Sequence, residues 1–413
     1  MTEEVCIFLL TAYFLLLAPC SLLPVPCSLF PPAIIVRMRR KLIISGVIIL
    51  VAGVGWLVYT RLPAAPIAEP PGSQVERGDA AGVTIETVAS NLNVPWDLDF
   101  TQDGDIFFTQ RPGTVKRIRG GELQEPAILE LPRAESEGGT MGLALDPDFA
   151  SNQYVYIYYT GAEQTNRVSR FRFNGDELVE EKILVDNIPG AAFHNGGRIE
   201  FGPNGMLYAG TGDARTPASA QDMESRAGKI LRITPDGSIP VDNPDPNSYV
   251  YSHGHRNVQG LAWDGDGQLY ATEHGSKARD EINLIKPSAN YGWPEVEGNA
   301  DNSPGRAPVE NYQDPIKSSG NITWAPSGAA FYTGEALPTR WQDRLLFAGL
   351  RSQSLWRYDP ASGRLERLLH NTHGRLRTVH QGPDEELYLL TNNGDGRGDP
   401  GENDDRILRI SPQ

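Results

Sequence analysis

One pattern recurs six times between Trp96 and Asn393, and it constrains the fold more than anything else in the sequence. Each copy runs through a hydrophobic strand, a turn of Gly, Asp, Pro or Asn, and a second strand rich in aromatic residues. A loop and a third strand follow. The copies are "WDLDFTQDGDIFFTQ" from Trp96, "LALDPDFASNQYVYIYYT" from Leu143 and "RIEFGPNGMLYAGTGD" from Arg198. The others are "LAWDGDGQLYATEHG" from Leu261, "AAFYTGEALPTRWQDRLLFAGL" from Ala329 and "VHQGPDEELYLLTNN" from Val379. Third strands such as "VKRI", "KILRI", "EINLI", "SLWRY" and "RILRI" close several of them. A unit this short cannot bury its own faces and must stack on its neighbours. Six units, one every ~45 to 70 residues, predict small antiparallel sheets arranged around an axis. The expected fold is all-β, a six-bladed β-propeller over residues 83–413. An ordinary sandwich needs about half that length.

Composition agrees with this reading. The 43 glycines and 32 prolines punctuate many turns and disfavour long helices. The net charge of −15 leaves no electrostatic footprint for nucleic acid. Cys6, Cys20 and Cys27 are the only cysteines, so the repeats have neither a disulfide framework nor a cysteine metal site.

The N-terminal region reads differently. Leu42 to Tyr59, "LIISGVIILVAGVGWLVY", is 18 uncharged, mostly apolar residues, about the minimum for a membrane span. Arg37, Arg39, Arg40 and Lys41 precede it, which by the positive-inside rule keeps that end in the cytoplasm and exports the remainder. No small-residue cleavage site closely follows a short apolar region, so a retained signal anchor is expected over residues 42–59. Residues 1–41 read as a cytoplasmic or non-native extension, since Met38 followed by "RRK" has the form of a signal-sequence start. Residues 60–82, rich in Pro, Ala and Gly, read as a linker. The expected location is the periplasm, with the inner membrane contacted through the anchor alone.

In a propeller, loops distant in sequence meet around the central channel, so four polar clusters stand out. His194, in "FHNGGRIEFGPNG", enters the third repeat; a neutral imidazole can accept a proton from a hydroxyl if a partner fixes its other nitrogen. Asp213, ending "GTGD", is placed by the hairpin to be that partner; the alternative is a histidine that only caps a loop. In "YSHGHRNVQG", His253, His255, Arg256, Asn257 and Gln259 crowd one loop, but two histidines alone are weak evidence for zinc. In "EHGSKARDEINLIKPSANYGWP", Asp280, Glu281 and carbonyls near Gly275, Ser276 and Tyr291 form an oxygen-only set that suits Ca²⁺. A solvated surface loop is the alternative. Arg375 and Arg377 alternate on one strand face, and two like charges there call for an anion between them. Arg351 and Trp324 are candidates to join them, Trp324 also reading as a core residue.

These residues resemble the PQQ-dependent soluble glucose dehydrogenases and aldose sugar dehydrogenases, the glucose/sorbosone dehydrogenase family. The resemblance covers about residues 85–413 and is carried by "EGGTMGLALDPDF", "HNGGRIEFGPNG", "GHRNVQGLAW", "DEINLIKPSANYGWP" and "GRLRTV", in the family's order. It implies a six-bladed propeller that oxidises the anomeric hydroxyl of aldoses to lactones with PQQ and Ca²⁺. Electrons pass to an external acceptor, a quinone or cytochrome. His194 is then the general base, Asp213 its support, and Arg256 with Asn257 the pair beside the quinone oxygens. Arg375 and Arg377 contact the PQQ carboxylates, and Glu137, Thr323, Trp324 and Arg351 complete the cofactor wall. Glu281 and the carbonyls of Gly275, Ser276 and Tyr291 match the calcium positions. Three departures appear: Glu137 stands where glucose-specific members carry glutamine, Ser276 replaces a proline, and Arg351 replaces a lysine. The alternatives are a non-catalytic binding propeller and a calcium-dependent lactonase; neither requires base, arginines and calcium loop together.

Overall fold

The computed structural model describes residues 76–78, 80–132, 136–298 and 311–413. The expected anchor at 42–59, the extension before it and most of the linker lie outside the described residues. Among those described, no helix is long and apolar enough to cross a membrane.

Six sheets make the propeller, antiparallel except where the short strand Glu76–Arg77 pairs parallel with Arg364–Leu368 at the edge of the fifth. The first blade opens with strand Pro95–Phe100, the second with Thr140–Leu145 and the third with Ile199–Phe201. The fourth opens with Val258–Trp263, the fifth with Pro326–Tyr332 and the sixth with Leu376–Gln381. Each opening strand lies innermost. Each touches the next, and the sixth touches the first, which closes a ring. Blade faces are covered by neighbouring blades on both sides, so the strands read as nearly continuous apolar runs. In Thr140–Leu145, for example, all six residues are buried. The six repeats of the sequence are the first two strands of the six blades.

The turns explain why the repeats are so visible. Asn204 Oδ1 accepts the Met206 amide at 3.1 Å, and Asp264 Oδ1 accepts the Gln268 amide at 2.8 Å. Gly104, Gly205 and Gly267 follow in the left-handed region, at φ 85°, 71° and 77°. The sixth blade places Glu385 at the same turn position with φ 62°, so it departs from the glycine signal there.

Two features of the fold carry little sequence signal. A fourth, outer strand completes the blades; in the first and fourth it is only Glu122–Leu123 and Lys317–Ser318. The sixth blade takes its outer strand from the other end of the domain. Val83–Ala89 pairs antiparallel with Ile407–Pro412, Ile85 opposite Ile410, and so fastens the ring.

Along the axis the blades meet at one guanidinium. Arg198, 3% exposed, forms a buried ion pair with Asp97 of the first blade. It donates to Thr378 Oγ1 of the sixth blade at 2.8 Å and to the Gln259 carbonyl of the fourth at 3.0 Å. Its charge lies 4.4 Å from the Trp96 ring centroid. Asp97 Oδ2 also accepts the Leu143 amide of the second blade at 3.0 Å. In the fifth blade, a Cβ at Gly328 would sit 2.7 Å from Arg198 Nη2, so that inner strand can approach only as glycine. Removing one partner of a buried ion pair typically costs about 3–5 kcal/mol. Arg198→Met is therefore expected to lower the unfolding free energy of the domain by that amount. Denaturant unfolding checks it, and a loss under about 1 kcal/mol would mean the axial pair does not hold the ring.

Candidate active site

His194 lies in the segment entering Ile199–Phe201, held in the left-handed region at φ 65°. Asp213 follows the second strand of the same blade, Leu207–Gly210. The hairpin brings His194 Nδ1 and Asp213 Oδ1 to 2.7 Å. A Cβ at Gly212 would lie 1.9 Å from the His194 carbonyl, so the second glycine of "GTGD" is what lets the two segments close. Asp213 is fully buried; Oδ1 also accepts the Arg215 amide at 2.8 Å, and Oδ2 accepts Trp293 Nε1 at 2.9 Å. Burial by itself would raise this carboxyl's pKa, but the bonds from His194, Arg215 and Trp293 outweigh it and hold it below the ordinary value. A carboxylate on Nδ1 fixes the ring with Nδ1 protonated and Nε2 as the free lone pair. The imidazole is 21% exposed, and among the described residues Nε2 has no hydrogen-bond partner.

Beside it the axial channel widens into a cavity lined by Trp96, Arg111, Glu137, Asn257, His274 and Arg377 among others. Arg377 donates to Gln259 Oε1 at 2.9 Å and Ser327 Oγ at 3.2 Å; burial, with Arg111 and Arg375 near, lowers its pKa to about 9. Arg375 Nη2 donates to Asp395 Oδ2 at 2.9 Å. Glu137 Oε1 pairs with Arg397 at 2.5 Å, and Oε2 accepts the His194 amide at 3.2 Å. The carboxylates here are too few for the guanidiniums. The Nε atoms of Arg256, Arg375 and Arg377 are buried with no hydrogen-bond partner, as are those of several arginines elsewhere; the local excess of guanidinium over carboxylate is what a planar polyanion such as PQQ would balance. Asn257 lines the same cavity, its Oδ1 accepting the Gly196 amide at 3.0 Å.

Arg256 joins the two halves of the site. Its carbonyl accepts the Asp213 amide at 2.8 Å, and its Nη1 donates to the Gly275 carbonyl at 2.7 Å. Its guanidinium lies 5.2 Å from the Trp293 ring centroid, and the same indole holds Asp213.

A second, smaller cavity is lined by Glu273, Gly275, Glu281, Tyr291 and Glu297, with Arg256 at its wall. Glu281 Oε1 accepts the Gly298 amide at 2.7 Å and Oε2 accepts Asn283 Nδ2 at 3.0 Å. Burial, with the Glu273 carboxylate nearby, raises the pKa of Glu281 to about 8. A divalent cation would relieve that repulsion, and the donors are all oxygens, so the residues fit Ca²⁺. Among the described residues no three His, Cys, Asp or Glu side chains cluster closely enough to hold a metal, so backbone carbonyls would have to contribute. Tyr291 can offer only its carbonyl, because its hydroxyl donates to the Leu284 carbonyl at 2.7 Å. Ser276 bonds Glu297 through Oγ at 3.0 Å.

Asp280 shapes the loop: its oxygens accept the amides of Gly275, Trp324 and Ala325 at 2.9, 2.6 and 2.8 Å. Trp324, 1% exposed, is a core residue 5.4 Å from Trp356, and its ring is not available to a cofactor. Thr323 Oγ1 donates to the Lys277 carbonyl at 2.5 Å. Arg351 is exposed and faces Arg375 as a like charge. Of the two loop histidines, His255 is fully buried between Glu273 Oε1 at 2.8 Å and Ser252 Oγ at 2.9 Å. Gln259, though fourth-blade, serves the axis and the arginines.

Sequence reasoning missed Arg111, Glu273, His274, Asp395 and Arg397 as site residues. Asp395 and Arg397 sit in "NNGDGRGDPGENDD", which looks like any solvated loop. Trp293 belonged to the quoted "NYGWP", yet nothing local signals that its indole reaches Asp213, 80 residues earlier in the chain.

His274 Nε2 donates to the Pro326 carbonyl at 2.8 Å, and burial lowers its pKa to about 3. Below the unfolded value of about 6.5, the unfolded chain takes up a proton that the folded ring refuses. Stability of the metal-free domain is thus expected to fall as pH drops from about 6.5 toward 3. In His274→Gln that part of the decline should be shallower, read as denaturant midpoints across pH.

A family model described as glucose/sorbosone dehydrogenase matches residues 92–408. A PQQ-bound aldose sugar dehydrogenase from Streptomyces coelicolor has a similar structure, with TM-score 0.71 and 39% identity over 80% of this chain and 98% of that one. The aldose sugar dehydrogenase YliI of Escherichia coli is 28% identical over 81% of this chain and 94% of its own length. The quinoprotein glucose dehydrogenase B of Acinetobacter calcoaceticus is 33% identical over 56% of each. The model spans most of the propeller, and the chain belongs to the glucose/sorbosone dehydrogenase family.

Proposed function

We propose that the domain is a PQQ- and Ca²⁺-dependent dehydrogenase that oxidises the anomeric hydroxyl of aldoses to lactones. The observation that carries this reading is the His194–Asp213 pair at 2.7 Å beside a cavity with surplus buried guanidinium. Arg111, Arg375 and Arg377 would hold the cofactor's carboxylates, with Arg256 and Asn257 at its quinone edge. Glu281 and the carbonyls of Gly275, Ser276 and Tyr291 would hold Ca²⁺. When bound, the quinone supplies the two-electron oxidant for the sugar's C1–H. His194 Nε2 takes the proton of the C1 hydroxyl, and Asp213 stabilises the imidazolium that forms. Arg256 places positive charge where negative charge develops. Trp293 keeps both groups in register and covers one side of Asp213 from water. Electrons then leave to an external quinone or cytochrome. The apolar run at residues 42–59 supports a periplasmic domain anchored to the inner membrane.

Absorbance titration with PQQ should show saturable binding that a chelator weakens, and the loaded protein should reduce dye when an aldose is added. His194→Ala should still bind PQQ but lose about 10²–10⁴-fold in kcat. Dye reduction by that variant at the parent's rate would remove His194 as the base. Absence of PQQ binding at any calcium concentration would remove the dehydrogenase reading itself.

A further inference from the structure

The rim of the site beside the base is positively charged. Phe193 directly precedes His194, and two guanidinium groups approach its ring. Arg215 lies 5.7 Å from the ring centroid and Arg397 lies 5.3 Å from it. The two come from different blades, Arg215 just after Asp213 and Arg397 from the loop after Leu387–Thr391. Arg397 is partly compensated by Glu137 at 2.5 Å, while its side chain remains 52% exposed. Arg215 is exposed, and among the described residues no carboxylate pairs with it.

The position of Arg215 is fixed. Its amide donates to Asp213 Oδ1 at 2.8 Å, and its backbone sits at φ 63°, so the side chain leaves the loop from the same carboxylate that holds the base. Phe193 is the chain neighbour of His194, so the two cations gather next to the segment that carries the base. C6 of an aldopyranose lies across the ring from C1.

Resting on the aldose dehydrogenase reading above, we propose that the preferred substrate is an aldose with an anionic group at the end away from C1, received by Arg215 with Arg397. A hexuronate carboxylate and a sugar 6-phosphate share this chemistry. A guanidinium fork suits either, by two parallel N–H···O bonds. The oxidation at C1 is unchanged; only the binding of the distal end is at issue.

Two measurements on the full chain test this. The first is calorimetric binding, without cofactor, of glucuronate, glucose 6-phosphate and glucose. An anionic sugar is expected to bind about tenfold more tightly than glucose, and about 0.5 M salt should shrink that difference. Arg215→Gln should erase most of the difference, and Arg215→Lys should keep part of it, since charge survives but the fork does not. The second is kcat/KM for the same sugars in protein loaded with PQQ and Ca²⁺, where the anionic-to-neutral ratio should collapse in Arg215→Gln, mainly through KM. The uronate and phosphate arms separate the two sources of charge. Equal binding of all three sugars, or a preference that Arg215→Gln leaves in place, overturns the proposal. Charge-dependent binding without turnover of any aldose would support Arg215 as the anion receptor and overturn the dehydrogenase reading instead.

Discussion

The structure depends on one charge placed where no water reaches it. Arg198 projects into the axis of the ring and is met there by Asp97, Thr378 and the Gln259 carbonyl, which come from three other blades. Each blade can stack only on its neighbours, and stacking alone fixes neither the number of blades nor their rotation. A buried guanidinium with directional partners does both, because any misplacement leaves a desolvated charge unpaired. The outer fastening is of a different kind. The pairing of Val83–Ala89 with Ile407–Pro412 adds main-chain bonds that join the two ends of the domain.

The site sits directly above this plug and is built with the opposite logic. At the axis every polar atom of the pair is matched; in the cavity above, guanidinium Nε atoms are left without partners and Glu281 is buried beside Glu273. Unmatched buried polarity is costly in a free protein, and a bound anion and cation would offset it. The base stands apart from this imbalance. Asp213 is saturated by His194, Arg215 and Trp293, so the imidazole orientation is set before anything binds. Rigid base, unsatisfied cofactor walls and an exposed arginine rim are three states of polar satisfaction within one loop cluster.

Much of the fold was legible because the turns repeat a local requirement. Where Gly104, Gly205 and Gly267 supply positive φ after an Asp or Asn, the sequence announces the hairpin. Where Glu385 takes that conformation, or where an outer strand shortens to Lys317–Ser318, the signal fades because neighbouring blades do the stabilising. The same holds at the site. His194, Asp213, Arg375 and Arg377 stand in motifs, whereas Asp395 and Arg397 sit in a Gly- and Asp-rich loop with no local mark of burial. Asp280 and Trp324 show the converse. Both sit in chemically suggestive stretches, yet three backbone amides take up the first and aromatic packing covers the second.

By itself the sequence determined the number of blades, the positions of their hairpins and which loops carry polar groups, since these follow from local period and turn chemistry. Tertiary structure alone decided which of those groups meet. Trp293 reaches Asp213, Arg256 reaches Gly275, and Arg215 and Arg397 converge on Phe193 only because a closed ring brings loops from separate blades to one end of its axis. The physical reason is that side-chain partners are chosen by distance after closure, and no local pattern in a chain encodes that distance.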